Sequence, residues 1–362
     1  CFTSEEELKI IRRNQIASGQ PPRYTGIWSE ATQEDVQEEL DKGNEPVYRY
    51  RIPKNTYIVF EDLVKGEQSF STNDLDDFIV RKKDKTPTFM FANAIDDSLM
   101  EVNLVMRGDD HLSNTPRQIA LLNGLNLTLP QYAHVSLFTG SDGAPLSKRN
   151  GSLSISDLRE LGYLPIAVAN YLSRVGHTIN DNELKNYKQL GDSFEVQNIS
   201  SSPSKFDNDQ LLFWQKKAIE NLKIDEFIHW LSEPLKDLPP HIDKQEFVEL
   251  IRENVNFPQD AGDYLVNIFL NPLEKKDDIA EIIRSAGQDF YIEACDVLLS
   301  GLSDWNEITQ EIGIRSGKKG KELFMPLRAA ITGQTKGPEL DKVVEFLGTE
   351  RIIERLKEAS RL

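Results

Sequence analysis

The stretch Leu104-Val105-Met106-Arg107-Gly108-Asp109-Asp110-His111-Leu112-Ser113-Asn114-Thr115-Pro116-Arg117-Gln118 decides the fold class. Leu104, Val105 and Met106 followed by Arg107 describe a short buried strand that ends in a charge. A polar loop comes next. Thr115-Pro116-Arg117-Gln118 then opens a helix, with proline in the first turn, where a missing N–H does no harm. The apolar face of that helix is read as Ile119, Leu122 and Leu125. Strand, polar loop and helix N-terminus in that order are how α/β sheets present ligand sites. Arg107, at the end of that strand, is therefore a candidate site residue.

Working upstream, Tyr48 to Ile52 and Tyr57 to Phe60 read as strands. Ser4 followed by Glu7 reads as a capping box for a helix through Ile16. Phe89 to Ile95 is an apolar run, and the basic loop Arg81-Lys82-Lys83-Asp84-Lys85 is read as a solvated turn. Downstream, the period changes from about Asp207 onward. Leu211, Leu212, Trp214, Ile219 and Leu222 recur at helical spacing, as do Ile279, Ile282, Ile283 and Ala286. Gly348 can stop one helix and Thr349 cap the next, with Ile352, Ile353 and Leu356 on its apolar face. This half reads as an all-α bundle.

A length of 362 residues is too much for one ordinary core, so two or three domains are expected. No apolar run approaches membrane-spanning length, and the N-terminus has no signal-peptide pattern. The first residue is Cys1, not Met, so the chain reads as incomplete at that end. Two cysteines, Cys1 and Cys295, cannot make a disulfide framework, which fits a reducing cytoplasm. The formal charge of -17 lowers the odds of a nucleic-acid partner. Net charge describes the whole surface, however, and a local basic track survives it.

The segment from Gly140 to Gly151, Gly140-Ser141-Asp142-Gly143-Ala144-Pro145-Leu146-Ser147-Lys148-Arg149-Asn150-Gly151, is a Gly-rich loop with adjacent cations. Such a loop can close over a polyphosphate and place Lys148 against its charge. Taken alone, the pattern is better read as a surface hairpin turn between Val135–Phe138 and Leu153–Ile155, because Ser-Lys-Arg is common.

It does not stand alone. The loop resembles the Lys-Met-Ser-Lys-Ser loop of class I aminoacyl-tRNA synthetases, in the Leu-Ser-Lys-Arg-x-Gly form of the glutamyl and glutaminyl enzymes. Val105 to Gln118 is similar to that family's Ile-Arg-Gly-Glu-Asp-His…Asn-Thr-Pro-Arg-Gln run. Tyr132-Ala133-His134-Val135, Gly162-Tyr163-Leu164-Pro165, Asn170-Tyr171-Leu172, Pro21-Pro22-Arg23-Tyr24, Pro87-Thr88-Phe89 and Met325 to Gly333 match in the family's order. The resemblance spans nearly all of the chain and is closest to bacterial-type glutamyl-tRNA synthetases. The glutaminyl enzymes have a β-barrel C-terminal part, which the helical periodicity here disfavours.

The resemblance implies a multidomain α/β plus all-α protein: a partial Rossmann-type parallel sheet, an inserted α/β connective module and a C-terminal α-helical bundle. The expected divisions are 1–82 for the acceptor-binding insertion, 83–132 for the second half of the catalytic domain, 133–205 for the signature-loop domain and 206–362 for the anticodon-binding domain. It implies a ligase that joins L-glutamate to ATP, delivered with Mg2+, and passes the glutamyl group to the tRNA for glutamate, the tRNA for glutamine being a further candidate. A cytoplasmic monomer is expected. Lys148 is assigned to the pyrophosphate side, with Ser147 and Arg149 supporting it and Pro145 and Leu146 completing the loop. Arg107 is assigned to the substrate side-chain carboxylate, in a bidentate pair, with Asn93 and Phe89 beside it. Read from the residues alone, Arg107 is also a candidate for a structural salt bridge to Asp109 or Asp110. Asp110 and His111 line the ATP site, and His134 is read as a core histidine. Arg315, Lys318, Lys319, Lys321 and Arg328 are the expected tRNA contacts. In the Leu250 to Val255 segment, Asn254 lies nearest the place of an anticodon-reading arginine.

Departures from the family pattern carry their own expectations. The sequence has no His-x-Gly-His turn; Gly176-His177 lies after the signature loop, in the wrong place. On that ground the chain by itself is expected to be inactive, and a non-catalytic tRNA-binding paralogue is the alternative. Pro145 stands where the family usually has Lys, and Phe89 where it usually has Tyr. Cys1-Phe2-Thr3 and Gly26-Ile27-Trp28 each lack a cysteine of the family's zinc set. Tetrahedral zinc needs four ligands, so no zinc is expected.

Overall fold

The computed structural model describes residues 1–19, 23–24, 26–140, 143–144, 146, 154–179, 181–267 and 277–362. It divides into two compact units. The first contains Cys1–Ser152, Ser173–Asp181 and Lys188–Phe206; the second contains Leu153–Leu172, Asn182–Tyr187 and Asp207–Leu362.

In the first unit, helix α1 (Glu5–Ala17) starts at the expected capping box: Glu7 N donates to Ser4 Oγ at 3.2 Å and Ser4 N to Glu7 Oε2 at 2.7 Å. Helix α2 (Gln33–Asp41) follows. Strands β1 (Tyr48–Tyr50), β2 (Tyr57–Asp62), β3 (Gly66–Ser71) and β4 (Phe78–Arg81) come next. The apolar run at Phe89 forms helix α3 (Phe89–Leu99). Strand β5 (Leu104–Gly108) leads through the loop to helix α4 (Thr115–Gly124), then to strands β6 (Gln131–Val135) and β7 (Phe138–Thr139), with β8 (Ser204–Lys205) far along the chain. Leu125 does not join the apolar face of α4. The helix ends at Gly124, and Leu125 is 46% exposed while Leu121 and Leu122 are buried.

The main sheet has the order β3-β2-β6-β5. β5 and β6 pair in parallel from Leu104↔Gln131 to Gly108↔Val135. β2 joins β6 in parallel at Asp62↔Tyr132 and turns back antiparallel into β3. β1 and β4 form a separate antiparallel pair, and β7 and β8 a parallel one. Ala94 of α3 packs with Leu121 and Leu122 of α4 in one buried cluster, flanked by Tyr50, Phe78 and Val80. β2 and β3 belong to the stretch expected as an insertion, yet they extend the sheet of β5 and β6. The join is narrow, a single residue pair, and it is reinforced from the side chain of Asp62, as described below.

The second unit is helical throughout its described residues from Asp207 on, as the periodicity requires. Leu211, Trp214, Ala218 and Ile219 are the buried face of the helix Asn208–Asn221. One core gathers Phe227, Leu231, Phe247, Ile251 and Leu265; another gathers Ile283, Tyr291, Val297, Ile312, Leu327 and Ile352. Gly348 (φ 76°) both ends the helix Leu340–Leu347 and caps the helix Thr349–Ala359, so Thr349 is the first helical residue and not its cap. Among the described residues no helix is long and apolar enough to cross a membrane.

Helix α5 (Ile155–Leu161) stops at Gly162, and helix α6 (Pro165–Leu172) begins three residues later. Gly162 has φ +91°, and a Cβ there would lie 2.3 Å from Pro258 Cδ. Its carbonyl accepts from Trp230 Nε1 at 3.0 Å and from Gln215 Nε2 at 3.3 Å. Gly162→Ala therefore combines left-handed strain with overpacking, and urea unfolding should show a loss of about 2–5 kcal/mol.

Candidate active site

β5 carries Arg107 to its C-terminal end, where parallel sheets place ligand-binding groups. The half-buried guanidinium is tied to four side chains. Nε donates to His134 Nε2 at 3.2 Å, Nη2 to Thr115 Oγ1 at 2.8 Å and to Gln118 Oε1 at 2.7 Å, and Nη1 weakly to Asn93 Oδ1 at 3.5 Å. Thr115 and Gln118 stand three residues apart on the buried side of the first turn of α4. Asn93 comes from α3, and Gln118 Nε2 donates to its Oδ1 at 3.0 Å. Of the five guanidinium N–H groups, one on Nη1 has no partner among the described residues.

Arg107 makes no ion pair among the described residues. Lys65 holds Asp109 at 3.0 Å instead, and Lys65 Nζ also donates to Ser136 Oγ and to the Ser201 carbonyl. Burial lowers the pKa of Arg107, while Tyr132, Asp97 and Asp110 pull it up. The Tyr132 ring lies under the guanidinium at 5.7 Å, and burial pushes its hydroxyl up to about 12. Burial likewise raises the Asp97 carboxyl.

Beside this cation lie Phe89, 57% exposed, and His111, with ring centroids 5.5 Å apart. His111 Nδ1 meets Asn114 Nδ2 at 3.1 Å, and Asp110 stays exposed at 3.8 Å from His111 Nε2. A Cβ on Gly108 would lie 2.5 Å from Asp110 Oδ1 and 3.0 Å from Leu137 Cδ2, so any larger residue there would have to push the exposed Asp110 side chain aside. The arrangement is a hydrogen-bonded cation with an aromatic side chain and two polar ones in the same region. It suits a substrate that carries a carboxylate.

The profile for the catalytic domain of class I tRNA synthetases (E and Q) matches residues 1–213, and that for an anticodon binding domain matches 223–360. Glutamate–tRNA ligase 1 of Halorhodospira halophila is 44% identical over the whole chain and 76% of its own length. Glutamate–tRNA ligase 2 of Nitrosococcus oceani is 42% identical over 99% of the chain and 76% of its own. The chain belongs to the glutamate–tRNA ligase family. A crystal structure of a glutamate tRNA ligase from Elizabethkingia meningosepticum, in complex with its amino acid, superposes with a TM-score of 0.83 at 23% identity, over all of this chain and 78% of that one; at that identity it speaks for the fold.

Within this glutamate–tRNA ligase family fold, the structure brings Arg107, Asn93, Phe89, Asp110 and His111 into one region of the first unit. Of the signature loop, Leu146 is anchored by its N–H on the Phe138 carbonyl at 3.1 Å, and Gly140 N donates to the Ala144 carbonyl at 2.8 Å. Pro145, Ser147, Lys148 and Arg149 lie outside the described residues. In the second unit, Lys319 and Lys321 are exposed, Lys318 lies 5.7 Å from the Phe290 ring, and Arg315 pairs with Glu311 at 2.7 Å. Arg328 is half-buried, donates to the Pro338 carbonyl at 2.8 Å and is lowered in pKa by that burial. Arg252 donates to the carbonyls of Ile219, Glu220 and Leu222 at the end of the helix Asn208–Asn221, whereas Asn254 is not part of that cap. Cys1 Sγ lies near the hydroxyls of Thr3 and Tyr24, and among the described residues no three His, Cys, Asp or Glu side chains gather to hold a metal.

Sequence reasoning missed Asp62, Lys65, Thr115 and Gln118 as site residues. For Thr115 and Gln118 a signal existed: two polar residues at i, i+3 on a helix face that is otherwise apolar. Thr115 is fully buried; its hydroxyl accepts from Arg107 Nη2 and lies 2.9 Å from His134 Nε2 and 3.4 Å from the His111 carbonyl. Thr115→Val keeps the shape and removes these contacts, so urea unfolding should show a loss of about 1–3 kcal/mol.

Proposed function

We infer that the chain carries the glutamate-recognition and signature-loop portion of a glutamate–tRNA ligase. The observation that supports this best is Arg107: a half-buried cation, fixed by neutral partners, with an unspent N–H. A half-buried cation with no counter-ion paired to it among the described residues is a built receptor for an anion. The side-chain carboxylate of glutamate is that anion. It takes Nη1 and replaces the long contact with Asn93 Oδ1, so the arginine approaches through one nitrogen; Nη2, which a fork-to-fork pair would also use, is already committed. Asn93 and Phe89 flank the same carboxylate, and the missing hydroxyl at Phe89 leaves Arg107 and Asn93 to fix its position.

ATP enters as its Mg2+ complex beside Asp110 and His111. The α-carboxylate of glutamate attacks the α-phosphate, pyrophosphate leaves, and the adenylate then passes its glutamyl group to the terminal ribose of tRNA. Charge builds on the departing pyrophosphate, and Lys148 answers it, with Ser147 and Arg149 beside it and Pro145 and Leu146 shaping the loop. Lys318, Lys319 and Lys321, with Arg315 and Arg328, form the tRNA-facing cations of the anticodon-binding part. The tRNA is that for glutamate, with that for glutamine as the second candidate. Functional divisions near residues 82, 132 and 205, a cytoplasmic location and a monomeric state complete the proposal.

Two substitutions test it. Arg107→Ala removes the receptor, and calorimetry should show glutamate binding weaker by about tenfold or more, the worth of one charge-assisted hydrogen bond; unchanged binding would overturn the assignment. Lys148→Ala should lower kcat by roughly a hundred- to a thousand-fold with little change in KM for ATP. That measurement is pre-steady-state adenylate formation in a polypeptide that carries a His-x-Gly-His turn ahead of Cys1. Near-normal rates there would return the loop to an ordinary hairpin.

A further inference from the structure

We propose that Asp62 and His134 are positioning residues for Arg107: a buried carboxylate–imidazole pair that fixes which imidazole nitrogen carries the proton and thereby aims the guanidinium. The proposal rests on the reading of Arg107 as the receptor of the substrate carboxylate.

The tautomer follows from the geometry. A guanidinium has donors only. Arg107 Nε lies 3.2 Å from His134 Nε2, so Nε2 must accept and carry no proton. The Thr115 hydroxyl lies 2.9 Å from the same nitrogen and 3.4 Å from the His111 carbonyl; with the single Nε2 lone pair turned to Arg107, its proton can serve that carbonyl. The imidazole proton therefore sits on Nδ1, which donates to Asp62 Oδ2 at 2.6 Å. The Asp62 carboxylate cannot rotate out of this role, because Oδ1 accepts from the backbone N–H of Val64 at 3.0 Å, Lys65 at 2.9 Å and His134 at 3.1 Å. Both side chains are fully buried. A chain of single-direction bonds thus runs from the turn between β2 and β3, through the imidazole, to the cation.

The charge states agree with the geometry. Burial pushes the Asp62 carboxyl up, but bonds from the His134 ring and from the backbone of Lys65, His134 and Val64 outweigh it and hold it below the usual range. Burial lowers the His134 pKa, against the pull of Asp62 and Asp109 and with the push of Arg107. Tyr132, whose ring is stacked 6.2 Å from the imidazole, is the other titratable neighbour. At neutral pH the pair is carboxylate and neutral imidazole. A second proton would set an N–H on Nε2 against the Arg107 N–H and one cation against another.

A purely structural pair, stitching β2 to β6, would stabilise the sheet and leave Arg107 indifferent to the tautomer. Asp62→Asn separates the two. The asparagine oxygen can keep the three backbone bonds while its amide donates to His134 Nδ1, driving the imidazole proton to Nε2 against Arg107. Nitrogen-15 NMR of the labelled chain at neutral pH should show the Nδ1–H tautomer at His134 in the wild type and the Nε2–H tautomer in Asp62→Asn. The protected Arg107 Nε–H signal should be lost in that variant, and glutamate binding should weaken about ten- to a hundred-fold. His134→Gln, whose oxygen can accept from Arg107 while its amide donates to Asp62, should restore both readouts; His134→Leu should not. An Nε2–H tautomer in the wild type overturns the proposal. So does a reversed tautomer with an unmoved Arg107 signal, or a His134→Gln variant no better than His134→Leu. The glutamine and leucine pair decides the matter even if Asp62→Asn fails to fold. If the NMR signals move as expected but the wild type binds no glutamate, the positioning pair stands and the glutamate reading of Arg107 falls.

Discussion

A guanidinium half out of water needs most of its N–H groups answered, and in Arg107 four of the five are answered by neutral side chains, with no carboxylate among the described residues. Its acceptors are an imidazole, a hydroxyl and two amides, all neutral. The satisfied bonds offset much of the desolvation, yet they leave the positive charge uncancelled, which an ion pair would not. The pairing of Lys65 with Asp109 belongs to the same design: it occupies the carboxylate two residues along the chain that could otherwise have collapsed onto Arg107. Four elements contribute to holding this one cation. β6 brings His134, α4 brings Thr115 and Gln118, α3 brings Asn93, and β2 supplies Asp62 behind the imidazole.

Much of this was legible because it is local. Leu104 to Arg107 reads as a strand and Thr115 to Leu122 as a helix from a dozen consecutive residues, and Arg107 at the strand end follows from both. The helical half was legible for the same reason, since Ile283, Ile352 and Leu356 declare a face through their spacing. Two errors lay at helix ends, where periodicity carries no information: Leu125 falls one residue past α4, and Gly348 takes the cap that Thr349 was expected to provide. The run from Phe89 to Ile95 was ambiguous because a short apolar stretch fits a strand as well as a buried helix.

What could not be read was the partnership of distant residues. Asp62 ends an alternating strand and looks like any solvated acid, and His134, 72 residues later, looks like any core histidine. Only the parallel join of β2 to β6 puts the two together. The alternative reading of Arg107, a salt bridge to Asp109 or Asp110, has no counterpart among the described residues for a related reason. Adjacency in sequence suggested a partner, but the strand-to-loop bend at Gly108 carries both aspartates to other neighbours.

The formal charge of -17 and an RNA partner are reconciled by distance. Charges farther apart than about 8 Å are largely screened at physiological salt, so a phosphate responds to the cations near it and not to the total. By that measure the cations of the second unit are unequal. Arg328 spends its guanidinium on a backbone carbonyl and Arg315 is neutralised along its own helix by Glu311, whereas Lys319 is exposed on the turn between helices and Lys321 on the first residue of the next helix. The same reasoning separates the two kinds of cation in this chain. An exposed lysine attracts phosphate at long range but fixes no orientation. Arg107, half-buried and held by four side chains, is in the proposed role the cation that orients one carboxylate. Every residue of its network lies in the first unit, so the aim of that arginine is set there, within the sheet and the two helices beside it.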